Sequence, residues 1–387
     1  MIKQDIPKIR FYSYQGSWTE NRIADIVKIS AGGDVDKVKL KESGKYPVIA
    51  NALTNKGIVG FYEDYKVKAP AVTVTGRGDV GYAVARHENF TPIVRLLTLQ
   101  SEKIDVDYLE NQINSMRILN ESTGVPQLTA PQLGNYKVYH PKIEEQSAIG
   151  SLFRTLDDLL VSYKDNLANY QSLKVTMLSK MFPKAGQTVP EIRLDGFEDE
   201  WEKGTIGEFG SFYYGKSAPK WSVTDEATTP CVRYGELYTK FSTKIDKIYS
   251  YTSIPKENLK LSSGNEVLVP RVGENPLDFA NCSWLSLKGV AIGEMISVYN
   301  TPNNPLFIAY YFNAKMKKEF AKRVEGGSVA NLYYTYLENI SISVPSLPEQ
   351  QAIGTYFSNL DNLINSHQEK IFQLETLKKK LLQDMFI

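Results

Sequence analysis

Along residues 149–181 the inward positions step by four and three: Ile149, Phe153, Leu156, Leu160, Tyr163, Leu167, Tyr170, Lys174, Met177 and Met181. The same spacing returns at Ile353, Phe357, Leu360, Ile364, His367, Ile371, Leu374, Lys378, Leu381 and Met385. A stripe kept over more than four heptads predicts a coiled coil rather than an ordinary surface helix. At 1.5 Å per residue each helix is roughly 50–55 Å long. Pro141 and Pro345 precede the two segments, where proline is tolerated, and Pro183 closes the first. Each helix has an obvious partner in the other, and both seams are expected to be buried together. A lysine interrupts each seam at the same place, Lys174 and Lys378. A seam lysine either fixes register or snorkels to the edge of the seam.

The two stripes belong to a larger repeat, the first thing to look for in a chain of this length. Glu145–Phe182 aligns with Glu349–Phe386 without a gap, with 15 identities in 38 positions, among them Gln146/Gln350, Gly150/Gly354, Asp157/Asp361 and Met181/Met385. Val125, Leu128, Leu133 and Pro141 face Val329, Leu332, Leu337 and Pro345 at the same offset. A second block pairs Pro7-Lys-Ile-Arg10, Trp18 and Ile23 with Pro190-Glu-Ile-Arg193, Trp201 and Ile206. The middles, about residues 30–120 and 214–325, share no clear similarity. A frame is duplicated and its contents differ.

Those middles read as mixed α/β. Val72–Thr75, Ile93–Leu99, Glu266–Val269 and Ile296–Tyr299 are rich in β-branched residues and predict strands. Residues 105–120 and 306–324 predict helices, with Gly, Asn and Pro between. The expected fold class is mixed α+β: two domains joined by two long coiled-coil helices, as a pseudo-twofold internal repeat. The expected boundaries are 1–144 and 183–348 for the domains, with helices over 145–182 and 349–387.

Composition narrows the function less than organisation does. The N-terminus lacks an apolar segment of secretory type, and no apolar run reaches the roughly 20 residues of a membrane helix. Cys231 and Cys282 lie far apart, and the three histidines are scattered. A cytoplasmic protein without disulfide, metal site or cofactor is expected. Net charge is +1, and duplex binders usually carry a more basic footprint. Residues 1–143 hold 19 Lys and Arg against 15 Asp and Glu, and residues 190–347 hold 17 against 19, so neither half advertises DNA binding by charge.

A duplicated frame with divergent contents presents two similar surfaces to two different targets. Dimeric DNA readers reach half-sites roughly 34–36 Å apart in this way. A scaffold whose halves bind two proteins fits the same pattern. The run Pro-x-Ile-Arg…Trp, a variable region, then Glu-Gln-x-x-Ile-Gly opening a long helix, all present twice, resembles the specificity subunits of type I restriction-modification systems. Pro348-Glu-Gln-Gln-Ala-Ile353 and the closing Leu377-Lys-Lys-Lys-Leu-Leu…Met385-Phe386 carry the likeness most specifically, and it spans essentially the whole chain. The first copy departs slightly, with Glu144 where the family pattern has proline.

The resemblance implies a non-catalytic DNA-binding subunit. Each domain would read one half of a bipartite, asymmetric site in double-stranded DNA. The helices would set the spacer and dock two methyltransferase subunits, with restriction and translocase subunits joining for cleavage. The recognition subunit of a type IIB-like system and a coiled-coil protein-binding adaptor are the alternatives.

Candidate DNA-binding residues follow. Thr75 and Arg77 in Thr75-Gly-Arg-Gly-Asp79, and Arg271 in Pro270-Arg-Val-Gly273, resemble a family loop after a strand. An arginine among glycines can approach guanine or a phosphate closely. Asn55 and Lys56 sit in a polar loop with Asn51 and Thr54, and Lys216, Arg233 and Tyr234 resemble another family loop. Thr123, Gly124, Gln127, Ser328 and Asn331 either contact phosphate or simply turn the chain toward the helices.

Two apparent motifs are refused. Gly210–Ser217 matches the phosphate-loop pattern, but Ala218-Pro219 follows it where a helix must start, and aromatics fill the would-be cradle. Asn304-Pro305-Leu306-Phe307 lacks the second proline of an adenine-methyltransferase motif and reads as a helix-entering turn. Catalytic residues are therefore expected in partner chains.

Overall fold

The computed structural model describes residues 6–116, 118, 126–216 and 218–387. It divides into two compact units, one of residues 1–165 and 368–387, the other of residues 166–367. Helices Ile143–Lys180 and Leu347–Asp384 each begin in one unit and end in the other.

The seam positions are the inward face of both helices. Ile149, Phe153, Leu156, Leu160 and Met181 are buried, as are Ile353, Phe357, Leu360, Ile364 and Met385, and those between are half-buried. In the first unit the last turns of the second helix run antiparallel to the start of the first. Phe386 packs on Phe153 with ring centroids 5.6 Å apart and on Tyr108 at 5.4 Å. In the second unit Phe182 stacks on Phe357 at 5.8 Å and meets Phe307 at 5.7 Å. The Met-Phe pair ending each helix thus plugs the core of the unit in which that helix ends, so the repeat keeps both residues.

The seam lysines are paired rather than snorkelling. Lys174 bonds Asp361, which also accepts from the Tyr310 hydroxyl at 2.7 Å, and Lys378 bonds Asp157 at 2.5 Å. Asp157 and Asp361 are themselves repeat partners. Charge pairs facing across each unit's seam favour one register.

The repeated motif is a set of internal fasteners. Arg10 grips the buried Glu145 through Nε and Nη2, both at 2.7 Å, and Arg193 grips Glu349 the same way at 2.8 and 2.7 Å. The Gln146 side chain accepts from Asp105 N and donates to the Pro141 carbonyl; Gln350 does the same with Asn304 N and Pro345. Asp105 and Asn304 cap helices Val106–Ser115 and Pro305–Lys315. The fasteners therefore tie each long helix to a shorter one in the same unit.

The central sheets share one order. The first unit orders its strands Lys28–Ala31, Leu97–Gln100, Ala71–Val74 and Ala83–Arg86. The second orders Ser211–Tyr214, Ile296–Asn300, Glu266–Pro270 and Ser283–Leu285, with Lys244–Ile245 added at the edge. In both, a second small sheet carries a parallel pair, Tyr46–Ile49 with Thr91–Pro92 and Thr229–Val232 with Lys288–Ile292. Register equates Ile49 with Val232, Val72 with Val267 and Leu99 with Tyr299. Most of the extra length of the second copy falls between the first two of these pairs. It builds helix Tyr234–Thr239 and the edge strand Lys244–Ile245, while Ser250–Thr252, antiparallel to Thr229–Val232, takes the place that Ile58–Tyr62 holds beside Tyr46–Ile49.

Three expected elements change. The strand expected over 93–99 is confined to Leu97–Gln100, because Val94 and Arg95 take left-handed φ of 53° and 60°. The helix expected over 105–120 is Val106–Ser115, and residues 117, 119 and 120 lie outside the described residues. The helix expected over 306–324 breaks at Met316 into Pro305–Lys315 and Lys317–Ala321.

Candidate functional site

In each unit, loops that leave the central strands meet at one rim. In the first unit, Val94 N donates to Gly33 O at 2.7 Å and Arg95 N to Gly32 O at 3.0 Å. A Cβ on Gly32 would lie 2.7 Å from the Ile93 nitrogen; one on Gly215, its counterpart, would lie 2.1 Å from the Gly293 carbonyl oxygen. Both crossings therefore require glycine. Asn51 ties in two further loops, donating to the Val94 carbonyl at 2.6 Å and accepting from Gly76 N at 2.7 Å. It is a positioning residue whose amide is occupied.

The candidates of the first unit take distinct roles on this rim. Asn55 and Lys56 are exposed at the tip of turn Thr54–Gly57, with left-handed φ of 50° and 49°. Arg86 holds that tip from beneath, donating to the Lys56 carbonyl at 2.7 Å and to Thr73 Oγ1 at 2.9 Å. Burial pushes the Arg86 guanidinium down to about 10, against the pull of Glu110 and Glu88. Thr75 departs from the expectation of direct contact. It is buried, its hydroxyl donates to the Asp79 carbonyl and accepts from Tyr82 N, and so it shapes the loop that carries Arg77. Arg77 is half-buried, and its Nε is buried without a hydrogen-bond partner among the described residues.

The second unit gathers its four candidates in the same way. Lys216 N donates to Ile292 O at 2.9 Å, Gly293 N to Val232 O at 3.0 Å, and Arg271 N to Met295 O at 3.2 Å. Arg233, Tyr234, Lys220 and Met295 line a cleft of about 190 Å³ there. The Arg271 guanidinium lies 4.4 Å from the Tyr214 ring centroid and 5.4 Å from that of Tyr333. Tyr334 continues the stack, 4.6 Å from Tyr214 and 5.5 Å from Phe212. Burial raises the Tyr214 hydroxyl, opposed by Arg271. Two aromatic faces fix the plane of Arg271 before any ligand arrives, and its Nε also lacks a hydrogen-bond partner among the described residues.

The two arginines are not counterparts. Leu128 N bonds Gly76 O and its repeat partner Leu332 N bonds Arg271 O. Arg77 pairs with Gln127 as Val272 pairs with Asn331. Gly76 thus corresponds to Arg271, and Arg77 to Val272. By the same registers Gly33 corresponds to Lys216, Asn51 to Tyr234 and Arg95 to Met295. Arg95, exposed on its left-handed turn, is a rim cation that sequence reading missed, because the run around it was read as strand. Gln127 and Asn331 are engaged in these backbone pairings; Thr123 and Gly124 lie outside the described residues.

The refused motifs take ordinary structural roles. Ser211–Tyr214, the would-be phosphate cradle, is a strand, and the next helical turn is only Lys220–Ser222, with Ser217 outside the described residues. Asn304 caps its helix by accepting from Phe307 N at 2.9 Å.

Comparison with known proteins gives a consistent picture. A family model described as the type I restriction modification DNA specificity domain matches twice, at residues 15–169 and 198–376. The chain is 23% identical over 407 residues to the type I restriction enzyme MjaVIII specificity subunit of Methanocaldococcus jannaschii, covering 94% of this chain and 91% of that one. It is 27% identical over 143 residues to the putative type I specificity subunit S.MpnORF507P of Mycoplasma pneumoniae, a match confined to 39% of that protein. The crystal structure of a type I restriction-modification S subunit from M. genitalium shares the fold, with a TM-score of 0.66, 16% identity and 99% of each chain covered.

Proposed function

The chain belongs to the type I restriction-modification DNA specificity family, and on that premise we propose that each of its units reads one half of a bipartite site in double-stranded DNA. The observation that carries this reading is the rim built twice on one backbone plan with different side chains. Equivalent places hold Gly33 and Lys216, Asn51 and Tyr234, Gly76 and Arg271. A duplicated scaffold serving one common target has no use for that divergence; two unlike half-sites require it.

The chain supplies binding, and methyl transfer belongs to partner subunits docked on the helices. Restriction and translocase subunits complete the nuclease. The helices joining the units set the number of base pairs between the half-sites. On each rim, arginine is the residue suited to bidentate contact with guanine O6 and N7. Lys56, Lys216 and Arg233 supply charge to phosphates, with Asn55 and Tyr234 at base or sugar edges. A near-neutral chain fits a reader whose affinity is completed by its partners, since phosphate contacts dominate non-specific binding.

Arg77→Ala tests the assignment. Discrimination at one base pair of the first half-site is expected to fall by about 1–3 kcal/mol, with the second half-site read as before. Binding of single-substitution duplexes by the chain with its methyltransferase measures this. An equal loss on every sequence would make Arg77 a phosphate contact.

A further inference from the structure

Strand registers fix a correspondence that sequence similarity hides. Lys28–Ala31 corresponds to Ser211–Tyr214, and Ile49 to Val232, with the same number of residues between. Lys37-Val38 therefore occupies the place of Lys220-Trp221. Val38 is 96% exposed and Trp221 73% exposed. Each unit thus holds out one large apolar side chain, behind a lysine, at the same point of its frame.

Both tips are anchored from beneath. Asp36 accepts from Val38 N and Lys39 N at 3.1 and 3.3 Å, and its own backbone exchanges two hydrogen bonds with the Tyr62 hydroxyl. Ser222 is fully buried; its hydroxyl shares a hydrogen bond of 2.8 Å with Thr252 Oγ1, and its carbonyl accepts from Ser253 N at 2.8 Å. Both exposed side chains thus stand on an anchored stretch of backbone. Lys220 lines the cleft that holds Arg233 and Tyr234, which places the Trp221 tip on the rim.

We propose that Val38 and Trp221 are specificity residues that press an apolar side chain against the base pairs of the first and second half-site respectively. The inference rests on reading the rim as a DNA interface. Lys37 and Lys220 beside the tips, with Arg233 across the cleft, match a phosphate backbone flanking a groove. The groove supplies apolar surface in thymine methyls and base faces, and such contacts discriminate between base pairs. The valine-to-tryptophan difference at one frame position fits two different half-sites.

Trp221 carries its own probe. Trp18 and Trp201 are buried and Trp284 is half-buried, so iodide quenching reports mainly on Trp221. The full chain with its methyltransferase is mixed with a duplex carrying its site or a scrambled duplex, and Trp221→Phe assigns the signal. The target duplex is expected to protect Trp221 from iodide severalfold more than the scrambled one. Trp221→Ala is expected to relax discrimination at one base pair of the second half-site by about tenfold. Val38→Ala is expected to relax one base pair of the first half-site by less. Both residues are exposed, so the variants fold. The inference is overturned if Trp221 stays equally quenchable in a sequence-selective complex, or if the variants lose affinity equally for all sequences. Protection by the methyltransferase without DNA also overturns it and assigns the tip to that subunit. Absence of any sequence-selective binding removes the DNA reading itself along with this inference.

Discussion

Arg193→Ala is expected to destabilise the second unit by about 3–5 kcal/mol, because it leaves a buried carboxylate without its counter-ion. The Glu349 side chain is 1% exposed and that of Arg193 14%. Beyond the two arginine bonds, the Glu349 side chain has among the described residues only a long contact of 3.4 Å from Trp201 Nε1. Neutralising the acid as well removes the uncompensated charge, so Arg193→Ala with Glu349→Gln should recover part of the loss. Arg10→Ala is expected to act the same way in the first unit, where Glu145 is 3% exposed. Chemical denaturation with hydrogen exchange on helix Pro305–Lys315 measures the effect where it falls. A loss below about 1 kcal/mol would place the pair among surface ion pairs and remove its role as fastener.

The second large effect concerns function. Replacing residues 30–120 with the corresponding segment of another family member is expected to change one half of the recognised site completely and leave the other unchanged. The exchanged segment carries the first unit's rim: the 54–57 turn, the 75–79 loop and Val94–Arg95. It leaves in place Arg10, Trp18, Glu145 and Phe386, which hold the frame. Specific sites are bound about 10³–10⁷ times more tightly than non-specific DNA, so a replaced half-site is a qualitative change. Mapping the methylated sequence before and after the exchange measures it. A change in both halves would mean that recognition is not divided between the units.

The frame was legible because physics demands the same residues twice. The seam residues, the Arg–Glu grips, the Gln hooks and the Met-Phe plugs are core parts, and a core restricts chemistry tightly enough to leave repeats in sequence. The rim was legible only in outline. All eight candidate residues fall on or beside it, yet their roles depend on backbone detail that composition does not encode. Thr75 turned inward because its hydroxyl closes a loop. Val94 is a β-former by propensity, but where the chain crosses itself tightly at Gly32 both it and Arg95 are left-handed, so Arg95 escaped notice. The equivalence of Arg271 with Gly76, and of Trp221 with Val38, emerges only from strand register, since the sequences around these positions share no clear similarity. The long helices were legible as helices, while their division between two compact units required the packing of both ends.

The most direct test of the central claim is a genome-wide map of methylated bases in a host carrying this chain with its neighbouring methyltransferase, compared with a host lacking only the chain. The account predicts methylated bases that appear only with the chain and lie in a split, asymmetric motif of two unlike half-sites. Identical maps, with the methyltransferase shown to be expressed in both hosts, would contradict it.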